Sequence, residues 1–118
     1  MGKLSTHVLD TAQGRPAAGL AVRLERLDTE RGRVCLTSRL TNSDGRTDEP
    51  LLEGGALVPG IYELTFAVGD YFRSQGLSPA SPPFLDEVPV RFGISDASAS
   101  YHIPLLCSPW AYQTYRGS

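Results

Sequence analysis

Long apolar runs are absent from this sequence, whose apolar stretches extend for only a few residues. Because a helix needs about 20 apolar residues to cross a bilayer, we expect no membrane segment. Residues 1–20 also lack a basic start followed by an apolar block. We therefore expect no cleaved signal, and the sequence predicts a cytoplasmic protein.

Basic charge is scarce as well. The chain has 11 Lys and Arg against 13 Asp and Glu, which gives a formal net charge of -2, and its basic residues are scattered rather than gathered into a run. Nucleic-acid binding depends on clustered basic side chains that neutralise phosphates. Nucleic acid is therefore not an expected partner.

The residues that bind metals are few. The only cysteines are Cys35 and Cys107, there are two histidines, and neither HExxH nor CxxC occurs. A zinc site needs three or four ligands, so we predict no metal and no other cofactor. Two cysteines fit a reducing compartment, although the sequence leaves a disulfide between them open. No GxSxG elbow indicates a serine nucleophile.

Helical patterns are sparse, whereas nine prolines and 12 glycines recur between stretches with a period of two. This pattern is typical of an all-β sandwich or barrel. We predict one short helix at residues 70–77, a single domain spanning 1–118, and seven or eight strands. The strands are expected at 4–11, 20–24, 34–40, 51–52, 60–68, 88–94, 101–106 and 111–116.

Both histidines fall out of phase with the core residues of their strands. His7 lies next to Val8, and His102 lies between Tyr101 and Ile103, so both should face outward. Many outward histidines are simply solvated. Here, however, Pro104 and Leu106 share the face of His102, which suggests that another subunit covers it. Partial desolvation would keep such a histidine neutral and able to accept a proton from water.

Two further segments have a default interpretation and a functional one. Arg46 follows Asp44-Gly45, so it is either a solvated turn residue or a fixed positive charge for an oxyanion. The closing segment 115–118 would fray by default. Its position directly after an aromatic-rich strand favours a tail that is held in place.

The sequence resembles the transthyretin-like family over nearly its whole length. The motifs that carry the resemblance are LSTHVLDT at 4–11, GRPA at 14–17, TNSDGR at 41–46, GIYEL at 60–64, YHIPLL at 101–106, Ser108-Pro109 and YRGS at 115–118. Within that family, His7, Arg46 and the YRGS ending are features of the hydrolases that act on 5-hydroxyisourate. Transthyretin itself carries a lysine at the place of His7.

The resemblance implies a transthyretin-like (prealbumin-like) sandwich of two four-stranded sheets with one short helix. It further implies a homotetramer with active sites at the interface between dimers. The expected reaction belongs to urate catabolism in purine metabolism. It is the cofactor-free hydrolysis of 5-hydroxyisourate to 2-oxo-4-hydroxy-4-carboxy-5-ureidoimidazoline.

The same resemblance assigns roles to individual residues. His7 and His102 would position and deprotonate water, without a decision about which of them is the base, and Arg46 would balance the developing oxyanion. Ser118 completes the catalytic set. Substrate binding is assigned to the three residues before it, Tyr115, Arg116 and Gly117.

Two other functions fit the same fold. A carrier would bind a hydrophobic ligand such as an iodothyronine, but the charged or ionisable side chains of His7, Arg46 and Arg116 argue against an apolar channel. A structural module within larger proteins is the other alternative. The compactness of the sequence and its finish at YRGS argue against that interpretation.

Overall fold

Residues 2–118, which the computed structural model describes, form nine strands, one α-helix and a 3-10 turn at Gly54–Ala56. In chain order these are β1 Lys3–Asp10, β2 Arg15–Pro16, β3 Ala21–Asp28, β4 Gly32–Leu40, β5 Leu52–Glu53, β6 Gly60–Phe66, α1 Val68–Ser74, β7 Val88–Ile94, β8 Tyr101–Cys107 and β9 Tyr112–Thr114.

The strands form two sheets that pack face to face. One sheet has the order β4-β3-β6-β7 and is antiparallel throughout. In the other, with the order β2-β1-β8-β9, β1 and β8 run parallel. The all-β sandwich predicted from the sequence is confirmed. The second sheet has five strands rather than four, because the two-residue strands β2 and β5 pair with opposite ends of β1.

The core lies between the sheets and follows the predicted alternation closely in β1. There Leu4, Thr6, Val8 and Asp10 are buried, while the residues between them are half-buried. Strand β6 is buried on both faces from Tyr62 to Phe66. Its central position between β3 and β7 explains this. Side chains of a strand with a neighbour on each side can be covered on both faces of the sheet, because long side chains of the neighbouring strands lie across them.

The helix begins earlier than predicted. We expected Val68 to end a strand and the helix to span 70–77, but α1 covers Val68–Ser74. Val68, Tyr71 and Phe72 are all buried, and their spacing of three and four residues is that of one helix face. Val68 therefore belongs to the helical pattern rather than to the period-two pattern of β6.

Strand β4 departs from the expected alternation. Leu36 and Leu40 were predicted to share the face of Val34, yet they are 40% and 66% exposed. The pairing moves from Leu24 opposite Thr37 to Glu25 opposite Cys35, which leaves Leu36 as the extra residue of a β-bulge. Because β4 is also an edge strand, its side chains are only partly covered.

Both cysteines are free in the structure, so the disulfide that the sequence left open does not form: Cys35 is exposed and Cys107 is buried. Burial, together with the nearby Asp10 carboxylate, raises the pKa of the Cys107 thiol to about 12. The helices within residues 2–118 are too short to cross a membrane. The cytoplasmic location stays a prediction.

Candidate active site

The parallel pairing of β1 with β8 brings the two histidine-bearing segments side by side. Ser5 lies opposite His102, and His7 lies opposite Pro104. Side chains at paired positions share a face, so Ser5, His7 and His102 all lie on the outer face of this sheet. Both histidines are half-buried. Their outward direction agrees with the alternation in the sequence.

The imidazole of His102 is held by Ser5, a residue that the sequence analysis did not single out. Ser5 Oγ lies 2.8 Å from His102 Nδ1. The alternation in β1 places Ser5 on the same face as His7, but its partner in β8 is 97 residues away in sequence. Only the register between the two strands identifies the contact.

The surroundings of His102 favour its neutral form. Burial lowers the pKa of this histidine below its ordinary value of 6.5, and the positive charges of Arg46 and His7 lower it further. His102 is therefore mostly neutral near pH 7. A neutral imidazole keeps one nitrogen able to accept a proton, which is the requirement for a general base.

A hydrogen-bonded turn at residues 42–46 places Arg46 next to His7. Asn42 Oδ1 accepts hydrogen bonds from the backbone amides of Asp44 and Arg46 at 2.9 and 3.2 Å. The backbone amide of Asn42 donates a hydrogen bond to the backbone carbonyl oxygen of Arg46 at 2.7 Å. An isolated antiparallel bridge then pairs Arg46 with His7. The turn thereby extends the sheet beyond β1.

Gly45 lets this turn approach β1 closely. Its φ is +75°, in the left-handed region, and a Cβ atom at this position would lie 2.3 Å from the Val8 carbonyl oxygen. No other residue fits such a contact. The exposed guanidinium of Arg46 makes no ion pair or hydrogen bond with any residue from 2 to 118, so its charge is available to a ligand.

The tail closes the other side of His102. The Gly117 amide donates a hydrogen bond of 2.7 Å to the His102 carbonyl oxygen, and the two residues form a bridge in the register that also pairs Leu105 with Thr114. A Cβ atom on Gly117 would lie 2.7 Å from His102 Cδ2. The absence of a side chain at 117 therefore makes room for the imidazole.

The side chain of Arg116 contacts Tyr101 rather than His102. Its guanidinium stacks on the Tyr101 ring, 4.3 Å from the centroid, and both residues border a cavity of about 280 Å³ that also includes Tyr115 and Phe92. The contact is a cation–π interaction that anchors the tail. The structure does not bring Arg116 or Tyr115 into the pocket at His102.

That pocket has a volume of about 290 Å³, and the residues that line it are Lys3, Ser5, Arg46, Ser100, Tyr101, His102 and Ser118. His7 lies beside the pocket without lining it. No Asp or Glu side chain contributes to this lining. Lysine and arginine beside hydroxyl groups suit an anionic ligand or a developing oxyanion.

Lys3 is a second residue that the sequence analysis missed. It shares the outward phase of Ser5 and His7 along β1 but lies at the start of the strand, where nothing in the sequence separates it from an ordinary surface lysine. Metal ligands are not grouped here or elsewhere in the described chain: residues 2–118 contain no cluster of three or more His, Cys, Asp or Glu arranged to hold an ion.

Comparisons with known proteins identify the family to which the chain belongs. The sequence matches the HIUase/Transthyretin family over residues 4–117. A relative from Ralstonia nicotianae, named 5-hydroxyisourate hydrolase, is 58% identical over 118 residues, covering 100% of both chains. The solved 5-hydroxyisourate hydrolase of Klebsiella pneumoniae is 34% identical, with a TM-score of 0.80 and 100% coverage of both chains.

A transthyretin structure also resembles the chain. Sea bream transthyretin, solved in complex with thyroxine, has a TM-score of 0.88 at 24% identity, covering 98% of this chain and 94% of that one. At this identity the likeness concerns the fold alone.

Proposed function

Because the chain belongs to the HIUase/Transthyretin family, we propose that it is an enzyme that hydrolyses 5-hydroxyisourate. The observation that carries the proposal is the joining of His102, Arg46 and Ser118 in one outward pocket, with His7 beside it. The full-length similarity to the Ralstonia nicotianae hydrolase supports the choice of substrate.

His102 is the proposed general base. It takes a proton from a water molecule as the water oxygen adds to a ring carbonyl carbon of the substrate. The ring carbon–nitrogen bond then breaks, His102 passes the proton to the leaving nitrogen, and the carbonyl carbon becomes a carboxylic acid that releases its remaining proton to solvent as a carboxylate forms. The lowered pKa of His102 supports this role, since the base must be unprotonated before the reaction begins.

Arg46 supplies the positive charge for this addition. As water adds, the carbonyl oxygen becomes an oxyanion, and a fixed cation that faces it stabilises the transition state more than the ground state. The turn 42–46 holds the arginine backbone in place, and the guanidinium has no competing partner among residues 2–118. His7, paired with Arg46 across the sheet, assists in orienting the water.

The tail residues have a binding role in this proposal. Ser118 lines the pocket and supplies hydrogen bonds to the substrate ring. Gly117 lets the tail pass beside the imidazole, while Arg116 fixes the tail through its contact with Tyr101. Tyr115 is 56% exposed, and we propose that it orders the tail and contacts substrate when a neighbouring subunit covers this face.

We also propose a homotetramer whose active sites lie between dimers. The outer face of the β1–β8 sheet supports this, because Leu9, Pro104 and Leu106 are apolar side chains on this face, and the large exposed Trp110 follows in the loop after β8. Apolar groups in this number on one face usually mark a protein interface. A covering subunit would also exclude bulk water from the pocket.

The test is to generate 5-hydroxyisourate in place by oxidation of urate and to follow its decay by ultraviolet absorbance. We expect added protein to accelerate the decay. Arg46→Ala should reduce kcat/KM by about 10² to 10³-fold, the usual effect of removing one oxyanion donor. Arg39→Ala, on the opposite sheet, is the matched control. A decay rate that the wild-type protein leaves unchanged would contradict the function.

A further inference from the structure

The contact between Ser5 and His102 decides which nitrogen of the imidazole can act on substrate. Ser5 Oγ lies 2.8 Å from Nδ1 and is the one polar side-chain group from residues 2–118 that is hydrogen-bonded to this ring. A neutral imidazole carries its proton on one nitrogen and a lone pair on the other. The direction of the hydrogen bond at Nδ1 therefore determines whether Nε2 carries a proton.

We propose that Ser5 is a positioning residue whose hydroxyl oxygen accepts the Nδ1 proton of His102, leaving Nε2 unprotonated to take a proton from water. This inference rests on the proposed function, in which His102 is the base. The opposite arrangement, with Ser5 donating to Nδ1, would place the proton on Nε2. His102 would then be a hydrogen-bond donor and unable to activate water.

The charges around the ring favour its neutral form. Lys3 of β1 and Arg46 of the 42–46 turn line the same pocket as His102, and His7 of β1 lies beside it. The tail brings Arg116 to Tyr101, the neighbour of His102 on β8. Positive charges disfavour a second proton on the ring, and a neutral ring that donates its Nδ1 proton to Ser5 keeps its lone pair at Nε2.

The fit of the ring supports a fixed orientation. Ser5 holds Nδ1 from the β1 side, and the Gly117 backbone lies against the ring from the tail side, where even a Cβ atom would meet Cδ2 at 2.7 Å. The imidazole has little room to turn over and exchange its nitrogens. A hydroxyl at position 5 thus selects both the tautomer and the direction of the base.

Kinetics of Ser5→Ala provide the first test. We expect kcat to fall roughly tenfold, which corresponds to the loss of one net hydrogen bond, with KM nearly unchanged. The acidic limb of the pH profile should move to lower pH, since a protonated ring loses its charge-assisted bond to the hydroxyl. Ser5→Thr keeps the hydroxyl and should restore the rate. Ser38→Ala, on the exposed edge strand β4, should behave as wild type.

Nitrogen NMR of the histidine side chains provides the second test and does not depend on turnover. The chain has two histidines, so ¹⁵N-histidine labelling gives two rings, which His7→Gln distinguishes. We expect His102 in the Nδ1–H form above its pKa, and a larger Nε2–H fraction in Ser5→Ala. An Nε2–H ring in the wild-type protein, or a Ser5→Ala variant with unchanged rate and spectrum, overturns the inference.

Failure of the inference can be distinguished from failure of the proposed function. His102→Gln removes the base itself, so retained turnover in that variant would contradict the proposed site. An inactive His102→Gln combined with a fully active Ser5→Ala would leave the proposed function standing and reject the role of Ser5.

Discussion

At the residue scale, the chemistry of the pocket depends on the protonation of His102. Its folded-state pKa lies below 6.5 because of burial and the charges of Arg46 and His7. Between the folded-state pKa and 6.5 the unfolded chain binds more protons than the folded one, so stability rises with pH across that range. Above pH 6.5 this contribution no longer changes.

Both kcat/KM and the free energy of unfolding should therefore decline as the pH falls below 6.5. We expect the acidic limb of kcat/KM to have its midpoint below pH 6.5 and the free energy of unfolding to fall as pH is lowered through that region. Denaturant unfolding between pH 5 and 8 measures the second effect. In His102→Gln the pH dependence of stability should be weaker; an equal dependence in both proteins would argue against His102 as its source.

Gly117 is important because it has no side chain to collide with the His102 ring. Gly117→Ala would place a methyl group 2.7 Å from His102 Cδ2, so either the ring or the tail must move. We expect a loss of about 10²-fold in kcat/KM, as displacements of about 1 Å in active sites often cause. Gly55→Ala, where a Cβ atom meets nothing within 4 Å, is the control. Unchanged activity in Gly117→Ala would show that the pocket tolerates a shifted tail.

The sequence alone pointed to His7, Arg46 and His102, because histidines out of phase with core residues and an arginine after Asp-Gly are visible in the pattern. It did not point to Ser5 or Lys3. Their neighbours in the pocket are set by the register of β1 against β8 and by the approach of the 42–46 turn. Such long-range pairings have no signature in local alternation.

At the scale of elements, the 42–46 turn bears most directly on the chemistry, because it holds the backbone of Arg46 in place. Asn42 alone bonds the amides of Asp44 and Arg46 through its side chain. Asn42→Ala should lower stability by about 1–3 kcal/mol, the cost of lost hydrogen bonds. We also expect roughly tenfold lower kcat/KM, because Arg46 loses its fixed position.

Asn42→Asp tests whether the acceptor oxygen is what matters. Aspartate retains an oxygen for the two backbone amides and should recover most of the stability and rate. Thermal unfolding and the ultraviolet decay assay measure the two effects. Equal losses in both variants would mean that the side-chain amide group, which also donates to Asp48, governs the turn.

The elements themselves could be predicted to different degrees. Strand β1 and the all-β sandwich followed from alternation, since one face is buried and the other is not. The bulge at Leu36 and the early start of α1 at Val68 did not follow. A bulge changes the phase of a strand without a distinctive residue, and Val68 satisfies the period of two and the helical spacing equally well.

At the scale of the whole molecule, assembly and activity should be lost together. Leu106 lies on the outer face of β8, opposite Leu9, in the surface that we propose another subunit covers. Leu106→Glu would bury a charge in that contact. We expect a fold that is retained by circular dichroism, a mass below four times the 12.8 kDa of one chain, and little activity.

Light scattering after size-exclusion chromatography measures the mass. Leu40→Glu makes the same substitution at a position that is 66% exposed on the opposite sheet and should remain fully assembled and active. If Leu106→Glu kept the wild-type mass, a different face would have to form the interface.

The direct pairing of the first long strand with the last long one also has a kinetic consequence. Ser5 and His102 are 97 residues apart, and the contact between them closes almost the entire chain into a loop. Such distant pairings cost the most chain entropy and form late in folding. During renaturation, turnover should therefore recover after most of the circular dichroism signal has returned, so that catalytic competence reports the completed native state.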